Sequence, residues 1–153
     1  MKSKAMKPIL SCIIICLSLM LLASCSSVEY YVEYLTDTGV NAAKDDLTLI
    51  TSEDELREYI SSPRFSEAQN NVIQKMESYS SDFFADKMLV VINLIETSGS
   101  NKITVKGVDY TDSTLTVRLN RKTPAIADDS IKTWSIFIEL DAREVGAVKY
   151  TFS

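Results

Sequence analysis

Histidine is absent from this chain of 153 residues, and its three cysteines, Cys12, Cys16 and Cys25, all fall within the first 25 positions. Without histidine the chain lacks the commonest general base and the commonest neutral metal ligand. Ser-His-Asp and Cys-His catalysis are excluded on composition, as are zinc-hydrolase sites of the usual kind. The segment after Cys25 has no thiol, so it holds neither a disulfide nor a sulfur ligand. Glycine is scarce too. Gly39, Gly99, Gly107 and Gly146 are the full set, too few and too scattered for a phosphate-cradling loop. No Lys/Arg cluster interleaved with aromatics occurs anywhere. Hydrophobic residues make up 46% of the chain, an ordinary share that argues against intrinsic disorder.

Charge is unevenly distributed. Lys2, Lys4 and Lys7 come with no acid, whereas residues 25–153 hold 13 bases against 21 acids, a formal −8. An acidic body of this kind repels phosphate backbones, which excludes nucleic acid as a partner.

The basic residues 1–7 precede an apolar run of 15 residues, Pro8 to Leu22. A helix needs about 20 residues to cross the hydrocarbon of a bilayer, so this run is too short to span. It suits the apolar core of a secretory signal. Leu22-Ala23-Ser24-Cys25 follows, and it resembles the lipobox of bacterial lipoproteins. That resemblance implies a diacylglycerol on the Cys25 sulfur and cleavage just before it. Residues 1–24 are then a signal peptide, and the domain is tethered to the outer face of a cell membrane. Residues 25–46 read as a tether with a possible edge strand. Cys12 and Cys16 lie inside the apolar run and serve as filler.

Downstream, Val28, Tyr30, Val32 and Tyr34 alternate with Glu29, Tyr31 and Glu33, the period of a half-buried strand. Leu47 to Ile50 predicts a short strand. Ser52 and Glu55 are spaced as a capping box, opening a helix over 53–61 that Pro63 stops. A second helix is expected from near Ser66, with Val72, Ile73, Met76 and Tyr79 on its inner face. Ser81 to Ala85 predicts a short turn whose Phe83 and Phe84 plug the core. Met88 to Ile95 is nearly all apolar, the pattern of a strand covered on both faces. Further strands are expected around 103–108, with a bulge at Gly107, and over 115–119, 134–140 and 148–152. This order predicts an α+β fold: two N-terminal helices packed on a mainly antiparallel sheet of about five to seven strands, forming a single domain over 47–153.

Chemistry-bearing residues are few. Asp128 and Asp129 share a loop, Asp141 lies beyond the next strand, and Asp45-Asp46 and Asp109/Asp112 flank turns. Paired carboxylates can serve acid–base work or bind Ca²⁺, but these lack metal-loop spacing and read as surface charge. No metal, cofactor or catalytic residue is assigned. Ser98-Gly99-Ser100 follows the buried strand. It lacks the second glycine and the histidine of a nucleophile elbow, so it reads as a turn. Trp134 falls on the apolar face of its strand. Phe137 falls on the opposite one, where an uncovered face would leave it exposed. Trp134, Phe137 and the 98–100 turn are the candidate partner contacts.

The stretch Tyr79 to Val91, the Ser98-Gly99-Ser100 turn and the Trp134 to Leu140 strand resemble the C-terminal domain of the PrcB-like protease-complex subunit family and small lipoproteins related to it. Leu49 to Leu56 resembles the entry to that domain, so the likeness covers roughly residues 47–152. It implies an accessory or assembly role at the cell surface, with a secreted or envelope protein as partner. The short 98–100 turn departs from relatives that carry a longer glycine-rich one. The expected function is a lipid-anchored binding module. The alternatives are a carboxylate-dependent hydrolase of envelope polymer, which needs two acids facing across a cleft, and a small-ligand receptor, which needs an apolar pocket.

Overall fold

The computed structural model describes residues 26–42, 46–126 and 128–153. In chain order these form β1 (Ser26–Ser27), β2 (Tyr30–Thr36), β3 (Asp46–Ile50), α1 (Glu53–Ile60), α2 (Asn70–Glu77), α3 (Ser81–Phe84), β4 (Lys87–Glu96), β5 (Lys102–Thr111), β6 (Thr114–Lys122), β7 (Lys132–Asp141) and β8 (Ala147–Phe152). Two four-stranded sheets result, ordered β1-β5-β6-β8 and β2-β7-β4-β3. All pairs are antiparallel except β6 with β8.

This corrects the α+β expectation. Strand takes 47% of the structure and helix 19%, in two sheets rather than one, and the helices follow three strands instead of opening the domain. The reason lies in what a period of two can report. It shows that a strand has an inner face, but not which sheet the strand joins. The consecutive β6, β7 and β8 alternate alike. Yet β7 crosses to the second sheet, and β8 returns to lie parallel beside β6.

One core lies between the sheets. It takes Met88, Val90, Ile92 and Leu94 of β4 and Trp134, Ile136, Ile138 and Leu140 of β7, against Leu115, Val117 and Leu119 of β6. The second core lies on the outer side of β4 and β7, where Leu89, Val91 and Phe137 meet Leu56, Tyr59, Val72 and Met76 of the helices. β4 is therefore covered on both faces, which explains its unbroken apolar run. Fully burying a side chain of this size contributes about 1.5–3 kcal/mol.

Local signals place the covering layer. The Ser52 hydroxyl accepts from the Glu55 amide at 3.2 Å, and the Glu55 carboxylate takes the Thr51 amide at 2.7 Å. The cap thus works one residue further back than a reciprocal box. α2 begins at Asn70 rather than near Ser66, because a 3₁₀ turn at Pro63–Phe65 uses the intervening chain. Phe83 and Phe84 pack against this core as expected. Between β5 and β6 the chain turns on Asp112 and Ser113, with φ of 49° and 57°. Both are left-handed, as a tight two-residue hairpin requires.

A buried polar chain pins the helices to the sheet. The Ser135 hydroxyl donates to Asn93 Oδ1 at 2.7 Å. Asn93 Nδ2 donates to Asp46 Oδ2 at 3.1 Å and to the Tyr59 hydroxyl at 2.8 Å. Arg64 closes the chain on Asp46 Oδ1. Burial, helped by the Asp46 charge, pushes the Tyr59 hydroxyl up to about 12. Replacing Asn93 takes one partner from the Asp46 carboxylate, which keeps Arg64, and one from each of the Ser135 and Tyr59 hydroxyls. Asn93→Ala is expected to lose roughly 2–4 kcal/mol in urea unfolding. A loss under about 1 kcal/mol would show that the chain is not needed to satisfy these groups.

Candidate functional site

Two opposite ends of the sandwich differ in character. Tyr30 pairs with Leu140 and Thr36 with Trp134, so the chain enters β2 at one end and leaves it at the other. The six residue steps of β7 from Trp134 to Leu140 span roughly 20 Å. Ser26 and Ser27 belong to the entry end, where they pair with Tyr110 and Asp109. They are tied into the sheet rather than forming a free leash.

At the far end a cleft of about 420 Å³ opens between the open edge of β5 and the end of the second sheet, within the size range of ligand sites. Tyr34 and Trp134 meet edge to face at 6.3 Å in its wall, and Ile103, Asn101, Lys102 and Lys132 are among the other lining residues. Two of these residues carry polar atoms without partners. Trp134 is 9% exposed and Asn101 7%, yet Trp134 Nε1 and Asn101 Oδ1 have no hydrogen bond among the described residues. The orientation of Asn101 is fixed, because its Nδ2 donates to Glu96 Oε2 at 2.7 Å and a carboxylate only accepts. Glu96 is itself buried and held by Arg121, whose Nε and Nη2 both reach Oε1, at 3.1 and 2.8 Å. A buried donor or acceptor left unpaired costs about 1–3 kcal/mol. The wall of the cleft is mostly apolar, and behind it one buried donor and one buried acceptor are unpaired among the described residues.

The turn that borders the cleft is stapled to the loop opposite. Asp128 Oδ1 accepts from the Gly99 amide at 2.7 Å and from the Ser130 hydroxyl at 2.7 Å, while Oδ2 accepts from the Ser100 hydroxyl at 2.9 Å. A Cβ at position 99 would sit 2.1 Å from Ser130 Oγ, so a larger residue there has to turn that hydroxyl away from Asp128. The hydroxyls of Ser130 and Ser100, with the Gly99 amide, hold the Asp128 carboxyl below the ordinary range.

Of the residues singled out from sequence, Trp134, Gly99 and Ser100 line this one cleft, and Ser98 lies in the same turn with its hydroxyl buried and unpartnered. Phe137 does not join them. It is fully buried beneath the helices, because the outer face of β7 is covered. Leu22, Ala23, Ser24 and Cys25 lie outside the described residues, as does Asp45. Among the described residues, the aspartates singled out from sequence do not converge, although Glu33 and Glu139 share Lys75 at 2.8 and 3.6 Å. Asp141 pairs with Lys87 at 2.6 Å, Asp109 with Arg118 at 2.6 Å, and Asp46 with Arg64. Among the described residues no three His, Cys, Asp or Glu side chains are grouped to hold a metal. No described helix is long and apolar enough to cross a membrane. Sequence reasoning missed Tyr34, Asn101, Lys102 and Lys132; their convergence depends on how the two sheets close.

No family model, no curated protein and no solved structure matches this chain.

The staple sets a pH dependence. A carboxyl held low in the folded state stabilises fully above its ordinary value and loses that effect as pH falls through the lower folded value. The Gly99 amide proton, followed by NMR on acidification, is expected to shift with a midpoint below the ordinary Asp value of 3.8. A midpoint at or above 3.8 would remove the staple from the account.

Proposed function

We propose that this chain is a lipid-anchored, extracytoplasmic binding module that presents the far-end cleft to a secreted or envelope protein. Cys25 carries the lipid, and the accessory role implied by the likeness to PrcB-like subunits fits the absence of histidine and of a sulfur ligand after Cys25. The observation that carries the reading is the division of labour between the two ends. Ser26, next to the lipidation site, is paired into one end of the sandwich. The other end holds the cleft and, among the described residues, three of the five exposed large hydrophobics. Ile95 is 46% exposed, Ile131 72% and Ile126 89%. Exposed apolar side chains gathered at one place mark a contact surface more than scattered ones do. A diacylglycerol gives two chains, enough for stable anchoring.

Two measurements test this. Cys25→Ala is expected to release the protein from membranes and abolish labelling by fatty acid; unchanged membrane retention would sink the anchor. A photo-crosslinking residue at Ile126 or Ile131 in intact cells is expected to capture a reproducible protein adduct. The same probe at Tyr31, near the entry end, is expected to capture none. Equal capture from both ends, or none from Ile126 and Ile131, would overturn the assignment of the binding face.

A further inference from the structure

The first sheet has an edge that it does not close. β1 covers β5 only at Tyr110 and Asp109, and the last bond of that pairing runs from the Val28 amide to the Val108 carbonyl at 2.9 Å. From Lys102 to Val105 no described strand lies on that side of β5. The Val105 amide donates to the Tyr34 hydroxyl at 2.8 Å, so the backbone groups of Val105 face away from β6. Alternation along an antiparallel strand places the N–H and C=O of Ile103 on the same open side. An unpaired edge of this kind is a template for another chain. It forms one wall of the cleft already described.

The rim of the cleft is positive in an acidic molecule. Lys102 lies directly opposite Lys122 in the β5–β6 ladder, an arrangement that destabilises a sheet. Lys132 stands opposite Glu96, but Arg121 and Asn101 already occupy that carboxylate. None of these three lysines makes an ion pair among the described residues. Lys132 Nζ lies 5.9 Å from the Trp134 ring centroid, a contact that leaves its positive charge unneutralised.

We propose that the cleft takes an extended segment of a partner protein, added as a strand to β5 at Ile103, with an apolar side chain against the Tyr34 and Trp134 rings and an acidic residue at Lys102 and Lys132. The segment exchanges both backbone hydrogen bonds with Ile103. Its apolar side chain enters the wall formed by the two aromatic rings. The proposal rests on the partner-binding reading above and adds to it the chemistry and geometry of what is bound.

The test uses a random twelve-residue peptide library displayed on phage and selected on the full chain in detergent. Enriched peptides are expected to alternate apolar and acidic residues. Synthetic copies are expected to bind at least about tenfold more weakly to the Lys102→Glu/Lys132→Glu variant, and Lys132→Gln alone is expected to weaken them in the same direction. Bound peptide is expected to slow hydrogen exchange at the Ile103 amide, and N-methylation of alternate peptide amides is expected to abolish binding. No enrichment, peptides indifferent to the charge changes, or binding that leaves the Ile103 amide unprotected would overturn the proposal. If crosslinks still form from Ile126 and Ile131 in any of those cases, strand addition fails while the binding face stands. If they too are absent, both fail.

Discussion

The ten-residue ladder between β4 and β7 is the constraint on which the rest of the structure depends. It runs from Lys87 opposite Asp141 to Glu96 opposite Lys132, without a break in register. Each strand is central in its sheet and buried on both sides, so one ladder divides the inter-sheet core from the core under the helices. Its length also separates the two ends of the molecule. At one limit the Lys87–Asp141 pair faces solvent beside the chain entry. At the other, Glu96 is buried 3% exposed and organises Arg121 and Asn101 at the cleft.

Polarity is treated differently in the two cores. Under the helices, every polar atom of the Ser135–Asn93–Asp46–Tyr59 chain has a partner, and the chain fixes how the helices sit. At the far end, Trp134 Nε1, Asn101 Oδ1 and the Ser98 hydroxyl have none. A closely paired lysine couple lies beside them. Each feature opposes stability, and a fold selected only for stability gains by removing them. Among the described residues, Thr38 Oγ1 and Ser62 Oγ are also buried without a partner, so three of the five such atoms lie at this end.

Much of the strand layout was legible because burial leaves a direct trace in composition. The apolar run of β4 records two covered faces, and the alternation over Trp134 to Leu140 records the inner face of β7. Ser52 and Glu55 marked the first helix because capping is local. What stayed hidden is long-range. Sheet membership of β6, β7 and β8 depends on which inner faces meet, and alternation is the same in either sheet. Phe137 was read as a contact because Ser135 and Glu139 flank it, yet Ser135 is buried in the polar chain and the helices cover that face. The cleft was half legible. Trp134 and the Gly99 turn stood out by residue type, whereas Tyr34, Asn101 and the lysines are ordinary residues until the sheets bring them together.

Trp134 is the chain's single tryptophan, which makes the separation of the two ends directly measurable. The lipidated protein, placed in vesicles containing nitroxide-labelled lipids, reports through that one fluorophore. If Cys25 carries the lipid as proposed, anchoring next to Ser26 at the entry end leaves Trp134 roughly 20 Å further along β7, and its emission is expected to be unaffected by nitroxides at headgroup level. Strong quenching by those lipids would place the cleft against the membrane and contradict a binding face turned outward.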